Sequence, residues 1–187
     1  MKIRQKAFNK IINHIGYFPA ERGGVLFGKE GDFIIEEFIP DKSKNTTRVT
    51  YTIDTAYLNP IIKKMWDEKG YSMLGILHSH PHGYQTLSGP DKTYFNDLLS
   101  TGIKRDKFYA PVVFTIPDGG FDIFPHLLNN KGEFVKTEEV ELLPNKEEIT
   151  QENTIQKETS IVKTIRRVVG KRSKGNILTK KTQKQKI

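Results

Sequence analysis

The sequence predicts an α/β domain with a mixed, mostly antiparallel sheet and flanking helices, followed by a basic C-terminal tail. Three observations predict it. Short apolar runs typical of buried strands alternate with stretches of helical periodicity, turn residues separate them, and the composition changes after Pro144. We therefore expect a folded domain over residues 1–143 and a partly helical or disordered tail over residues 144–187, which contain no aromatic residue.

Three helices are predicted from apolar residues spaced three and four positions apart. The first covers residues 4–17. The second begins with Asn59 as its N-cap and Pro60 at its first helical position, and it ends at Gly70. The third begins with Ser88 as its N-cap, because a Gly-Pro pair follows that hydroxyl. These helices would cover the sheet.

The predicted strands are short apolar or alternating segments bounded by glycine, proline and polar residues. The apolar run at residues 73–77 leads directly into His78 and His80, and we place the strand of residues 72–78 at the centre of the sheet. The expected strands are residues 25–27, 33–39, 49–53, 72–78, 111–116, 121–128 and 134–143.

The composition excludes several classes of protein. There is no cysteine, which excludes a cysteine nucleophile, a cysteine-rich zinc module and a disulfide framework. The N-terminal residues do not lead into the apolar stretch of a signal peptide, and no apolar run has the roughly 20 residues of a membrane span. We expect a cytoplasmic protein without a membrane partner.

The net charge of +8 is concentrated in the tail. Residues 151–187 hold 11 of the 30 lysines and arginines but only 2 of the 22 acidic residues, a net of +9, whereas the preceding residues sum to −1. A polyanionic partner such as RNA is therefore an expectation for the tail only, and a solvated tail is the alternative.

The residues after the central strand form a candidate metal site. His78 and His80 lie at i and i+2, so their side chains can point to the same side of a strand. Asp91 follows one turn into the helix that Ser88 begins. Two imidazoles and one carboxylate suit Zn²⁺, and three protein ligands leave the fourth position open, as in catalytic zinc sites.

The run H-S-H-P-x6-S-x-x-D resembles the motif of the JAMM (MPN-plus) zinc metalloproteases. The resemblance includes Glu21 in the upstream segment Glu-Arg-Gly-Gly-Val-Leu-Phe-Gly, and it covers about residues 1–142. It implies the JAMM/MPN-like, cytidine-deaminase-like α/β fold. The short loops around the motif are similar to those of compact prokaryotic members.

The resemblance also implies a role for each matching residue. His78, His80 and Asp91 would bind one zinc ion per chain, Glu21 would hold and deprotonate the attacking water, and Ser88 would stabilise the oxyanion. The implied reaction is hydrolysis of an amide or isopeptide bond.

Each of these residues also has an ordinary structural interpretation. Histidines on strands are commonly satisfied within the core, Asp91 suits a helix N-terminus, and Ser88 suits an N-cap. Glu21 could be a surface carboxylate before a turn. We expect His82 to be a solvated loop residue. Two further histidines, His14 and His126, are expected to be structural.

The resemblance implies a ubiquitin-like protein or its conjugate as the substrate, for deconjugation or precursor trimming. E1-like and E2-like proteins of bacterial ubiquitin-like or antiphage pathways would then be partners. Two alternatives stay open: a non-catalytic MPN-type binding or scaffold module, and a hydrolase of a sulfur-carrier or small-molecule adduct. A nucleic-acid role through the tail is a weaker alternative.

Overall fold

Two sheets and three helices form the part of the chain described by the computed structural model, namely residues 1–16, 18, 21–42, 51–102, 105–115 and 120–146. The strands are β1 (Lys2–Arg4), β2 (Gly23–Gly28), β3 (Ile34–Ile35), β4 (Glu37–Pro40), β5 (Ser72–Ser79), β6 (Phe108–Thr115), β7 (Phe121–Leu128), β8 (Phe134–Thr137) and β9 (Glu141–Leu143). The helices are α1 (Gln5–Ile11), α2 (Thr55–Lys69) and α3 (Gly89–Asp97). A π-helical turn follows α1 at Ile12–Gly16, and another follows α3 at Leu98–Gly102.

The larger sheet has six strands in the order β4-β2-β5-β6-β7-β8. The pair β5–β6 is parallel, and the other four pairs are antiparallel. A parallel pair needs a crossover between its strands, and α3 lies in that crossover. This arrangement confirms the predicted α/β class with a mixed, mostly antiparallel sheet.

A second sheet, with the order β3-β1-β9 and parallel pairing, was not predicted. Its strands have two or three residues each, which is too short for an alternating pattern to be recognised in the sequence. Two predicted strands are therefore wrong as single units. Residues 33–39 divide between β3 and β4, and residues 134–143 divide between β8 and β9, in different sheets.

The six-stranded sheet is covered on both faces. Along β2 the buried side chains alternate, so that Leu26 packs in the cluster containing α1, whereas Val25 and Phe27 pack against α2. Phe95 of α3 packs in a third cluster with residues of β5 and β6, including Ile76. The strand that carries the histidines is thus fixed between packed layers.

The predicted start of α2 is wrong. The helix begins at Thr55, and its N-cap is Asp54, whose side chain accepts a hydrogen bond of 3.0 Å from the Tyr57 N–H. Pro60 therefore lies inside the helix, where it removes one backbone donor. The Asn-Pro pair is a reasonable start signal, but Asp54, five residues earlier, also caps well. The predicted end at Gly70 is correct, with a left-handed φ of 61°.

The predicted third strand at residues 49–53 is not a strand in its described part. Residues 51–53 lie in irregular backbone, and residues 49 and 50 lie outside the described residues.

The chain divides into two units, Met1–Pro144 and Asn145–Ile187. The tail from residue 147 onward lies outside the described residues. Where the chain is described, none of the helices has both the length and the apolar character that crossing a bilayer requires.

Candidate metal centre

The imidazoles of His78 and His80 converge at the end of β5. His78 is fixed by the sheet, since it pairs with Gly23 of β2 on one side and with Val112 of β6 on the other. The N–H of His80 donates to the carbonyl of Val113 over 2.8 Å. Both side chains are buried, and their Nε2 atoms lie 2.8 Å apart.

Asp91 completes the cluster from the first turn of α3. Its Oδ1 lies 3.3 Å from His78 Nε2, and its Oδ2 lies 3.2 Å from His80 Nε2. In the described part of the chain, these three residues are the group of histidines and carboxylates whose ligand atoms all lie within 4.8 Å of one another. The structure therefore brings together the three ligands predicted from their spacing.

The geometry of this cluster fits a metal ion. Tetrahedral bonds of roughly 2.0–2.1 Å separate neighbouring ligand atoms by about 3.3 Å. The two distances from Asp91 to the imidazoles match this value, and the distance of 2.8 Å between the imidazoles is shorter. His80 Nδ1 lies 3.1 Å from the carbonyl oxygen of Tyr84, which can only accept a hydrogen bond. In the neutral ring the proton is therefore on Nδ1, and the lone pair of Nε2 faces the cluster.

The charges in the cluster are coupled. Burial acts to raise the pKa of the Asp91 carboxyl, but hydrogen bonds with His78 and His80 hold it far below its usual range. Burial acts to lower the pKa of His80, but the Asp91 carboxylate raises it above its ordinary value. The aspartate is therefore ionised at neutral pH and available as an anionic ligand.

Glu21 lies beside this cluster and is buried, with 8% of its surface exposed. Its position depends on the next residue, Arg22, whose N–H donates to Ser79 Oγ over 2.9 Å and whose carbonyl accepts from the Ser79 N–H over 2.7 Å. Burial raises the pKa of Glu21, while attraction to His78 and His80 opposes the rise. A carboxylate that is 57 positions from His78 in the chain thus shares its electrostatic environment.

Ser88 is exposed and forms a capping box with Asp91. Its Oγ accepts from the Asp91 N–H at 3.2 Å and donates to Asp91 Oδ2 at 2.6 Å, and its own N–H donates to the same oxygen at 2.7 Å. The N-cap prediction is confirmed. The hydroxyl also supports the carboxylate that faces the histidines.

The other histidines lie outside the cluster. His126 is buried, and its Nε2 donates to the carbonyl of Gln85 over 2.7 Å while its Nδ1 lies 2.9 Å from Thr137 Oγ1. Gln85 is next to the residue whose carbonyl orients His80. His126 therefore supports the loop between the ligands, a structural role more specific than the one predicted. His82 is exposed, as expected.

Sequence reasoning missed Asp41 and Tyr51. The Tyr51 ring stacks on the His78 ring, with centroids 6.0 Å apart and planes 10° apart, and its hydroxyl donates to Asp41 Oδ2 over 2.7 Å. No spacing rule connects a loop residue to a histidine 27 positions later, so the sequence held no signal for this contact.

A cavity of about 240 Å³ opens beside His78 and Asp91. Its walls are mainly apolar, and they include Tyr51, Ile53 and Tyr94. The cavity therefore places an apolar surface next to the cluster.

The fold and the cluster define a class: an α/β domain whose central strand ends on a candidate metal centre. Within that class the chain belongs to the prokaryotic homologues of the JAB domain, whose family model matches residues 4–120. This membership confirms the predicted family. No curated protein matches the chain.

Among solved structures, the chain is similar to protein DSY2949 from Desulfitobacterium hafniense, with 20% identity, a TM-score of 0.58 and coverage of 78% of this chain and 94% of that one. It is also similar to AF2198, a JAB1/MPN domain protein from Archaeoglobus fulgidus, with 19% identity, a TM-score of 0.41 and coverage of 76% and 99%. A Salinibacter ruber protein has 19% identity, a TM-score of 0.49 and coverage of 76% and 92%. The first of these likenesses supports the fold.

Proposed function

We propose that this protein is a zinc-dependent peptidase that hydrolyses the amide or isopeptide bond after the C-terminus of a ubiquitin-like protein. The observation that carries the proposal is the convergence of two imidazole nitrogens and one carboxylate beside a buried glutamate. Family membership and the predicted motif support the same reaction class.

His78, His80 and Asp91 would hold the ion. When bound, zinc supplies Lewis acidity that makes water reactive at neutral pH. The set of two histidines and one carboxylate leaves a position open for chemistry, whereas a structural site would have a fourth protein ligand.

Glu21 acts as the general base and acid. It takes a proton from the attacking water and returns it to the leaving amine. Such a group works best when its pKa is near the operating pH, and burial raises the pKa of Glu21 in that direction. The pairing of Arg22 with Ser79 holds this carboxylate beside the histidines.

Ser88 donates a hydrogen bond to the oxyanion of the tetrahedral intermediate. To do so its hydroxyl turns away from Asp91 Oδ2, which still accepts from the Ser88 N–H. The carboxylate therefore keeps one of its two supporting hydrogen bonds during the reaction.

A ubiquitin-like protein is the substrate class that the family resemblance favours. The apolar cavity beside His78 and Asp91 is compatible with a polypeptide chain next to the scissile bond. E1-like and E2-like proteins are the partners proposed for such a pathway, and cytoplasm is the proposed compartment.

The test uses the full chain with zinc and a ubiquitin-like protein encoded by a neighbouring gene, extended at its C-terminus by a reporter peptide. We expect release of the reporter, loss of release with a chelator, and recovery when zinc is restored. His80→Ala should abolish release, whereas the matched control His82→Ala, an exposed histidine two residues away, should not.

If wild-type protein binds zinc and cleaves no ubiquitin-like fusion, the isopeptidase proposal fails. Cleavage of sulfur-carrier or small adducts would then assign the hydrolase to another substrate. Binding of a ubiquitin-like protein without cleavage would assign a scaffold module.

A further inference from the structure

Tyr51 contacts two members of the candidate site by different parts of its structure. Its ring lies almost parallel to the imidazole of His78, at a centroid distance of 6.0 Å. Its backbone forms a hydrogen bond with the carboxylate of Glu21. A single residue therefore limits both the rotation of a ligand ring and the position of the proposed base.

Asp41 anchors Tyr51. This aspartate is buried, with 6% of its surface exposed, and its Oδ2 accepts from the Tyr51 hydroxyl at 2.7 Å and from the Asp54 N–H at 2.9 Å. The Asp41 N–H in turn donates to the carbonyl of Gly23 over 2.9 Å. The segment 51–54 is thus attached at two points to Asp41, which is itself hydrogen-bonded to Gly23 at the start of β2.

Gly23 leaves the space that the Tyr51 ring occupies. A Cβ atom at this position would lie 2.4 Å from Tyr51 Cζ and 2.7 Å from the carbonyl oxygen of Leu77. Since Gly23 pairs with His78 across the sheet, the ring, the glycine and the ligand form one packed unit.

We propose that Tyr51, anchored by Asp41, is a positioning residue of this site, which fixes the His78 imidazole through its ring and the Glu21 carboxylate through its backbone. This inference rests on the proposed function for its effect on turnover. Its effect on metal binding is independent of any substrate. Removing the Tyr51 ring and removing only its hydroxyl should therefore have different effects on zinc affinity and turnover.

Loss of the ring should weaken metal binding, because the His78 imidazole then rotates more freely. Residues that orient metal ligands typically contribute 10–100-fold to affinity or activity, so Tyr51→Leu should lower zinc affinity by about tenfold or more. Loss of the hydroxyl in Tyr51→Phe keeps the ring over His78. It should leave zinc affinity within about threefold of wild type and lower kcat by about tenfold with little change in KM.

Tyr109→Phe is the matched control. This substitution also removes a tyrosine hydroxyl that donates to a carboxylate, over 2.6 Å to Glu138, but its partner lies outside the cluster. It should reduce stability as Tyr51→Phe does, with wild-type zinc affinity and kcat.

The experiment measures zinc dissociation constants by competition with a chromophoric chelator, together with kcat and KM on the reporter fusion. Zinc affinity of Tyr51→Leu equal to that of Tyr109→Phe would overturn the inference, whether or not the protein cleaves anything. If Tyr51→Leu does not fold, Tyr51→Met, a flexible side chain that fills irregular space, replaces it, and the same loss of affinity is required. Wild-type zinc binding without cleavage would overturn the proposed function and leave the metal-affinity comparison as the test.

Discussion

At the scale of single residues, the two ring nitrogens of His80 have different partners. Nδ1 is directed at the Tyr84 carbonyl, and Nε2 faces His78 and Asp91. A backbone hydrogen bond that sets the tautomer is a common property of histidine ligands to metals. The backbone around His80 therefore directs its Nε2 towards the other two members of the candidate metal centre.

This arrangement predicts one zinc ion per chain. Metal analysis of the purified protein should give about one equivalent of zinc, as expected for a site with three protein ligands. The double variant His78→Ala/His80→Ala should contain none, since a lone carboxylate does not hold the ion, and His82→Ala should retain it. Full zinc occupancy in the double variant would show that the ion binds elsewhere.

The candidate cluster was predictable because the spacing of its three residues is local. His78, His80 and Asp91 lie within 14 consecutive residues, on a strand end and a helix start that both have sequence signals. Tyr51 and Asp41 were not predictable, since they reach the site by packing over a glycine of another strand. Contacts between distant segments depend on the topology, which a single sequence does not display.

At the scale of elements, the capping box of α3 connects helix stability to the site. Asp91 accepts from Ser88 while facing the two imidazoles, so the first turn of the helix and the cluster share one carboxylate. The start of α3 was predicted correctly because Ser-Gly-Pro is a strong local signal. The start of α2 was not, because two capping residues five positions apart, Asp54 and Asn59, compete.

Ser88→Ala should therefore lower both the stability of α3 and the zinc affinity of the site. Loss of an N-cap hydroxyl typically costs about 1 kcal/mol, which denaturant unfolding of the zinc-free protein would measure. Zinc affinity should also fall, since Asp91 Oδ2 loses a donor, and Ser88→Thr should restore both properties. Unchanged unfolding of Ser88→Ala in zinc-free protein would contradict this role for the cap.

At the scale of the whole domain, Glu138 connects the amine of Met1 to Tyr109 of β6. Burial acts to raise the pKa of Glu138, but hydrogen bonds from the Tyr109 hydroxyl, the N-terminal amine and Lys136 hold it at about 2, below the ordinary value of 4.5. A depressed pKa stabilises the fold above the unfolded pKa, and this stabilisation is lost as the pH falls through the folded value.

The free energy of unfolding should consequently decrease between pH 4.5 and about pH 2 more steeply in wild type than in Glu138→Gln. Urea unfolding of zinc-free protein over this pH range measures the difference, and the amide of the variant keeps an acceptor for Tyr109. Parallel pH dependences for the two proteins would show that Glu138 does not contribute.

The domain boundary predicted from composition gives a second test at this scale. The last described strand, β9, ends at Leu143, and Pro144 follows. Deletion of residues 151–187 should leave cooperative unfolding and zinc content unchanged, whereas loss of either would place the boundary later.

Binding of the tail to RNA, if it occurs, should weaken steeply with salt.

The fold class was predictable from alternating apolar runs and turn signals, but the second sheet was not. Its strands are too short to have a period, and they are brought together from residues 2–4, 34–35 and 141–143. The pairing of β1 with β9, across about 140 residues, depends on how the helices and the larger sheet pack. A local sequence pattern therefore does not predict it.

The central claim is that Glu21 is the base of a zinc peptidase, and its amide variant tests it most directly. Glu21→Gln keeps the shape of the side chain but cannot take a proton. With about one equivalent of zinc still bound, it should release the reporter from the ubiquitin-like fusion 10²–10⁴-fold more slowly than wild type, the usual contribution of a positioned acid–base group. A rate close to wild type, at full zinc occupancy, would contradict the account.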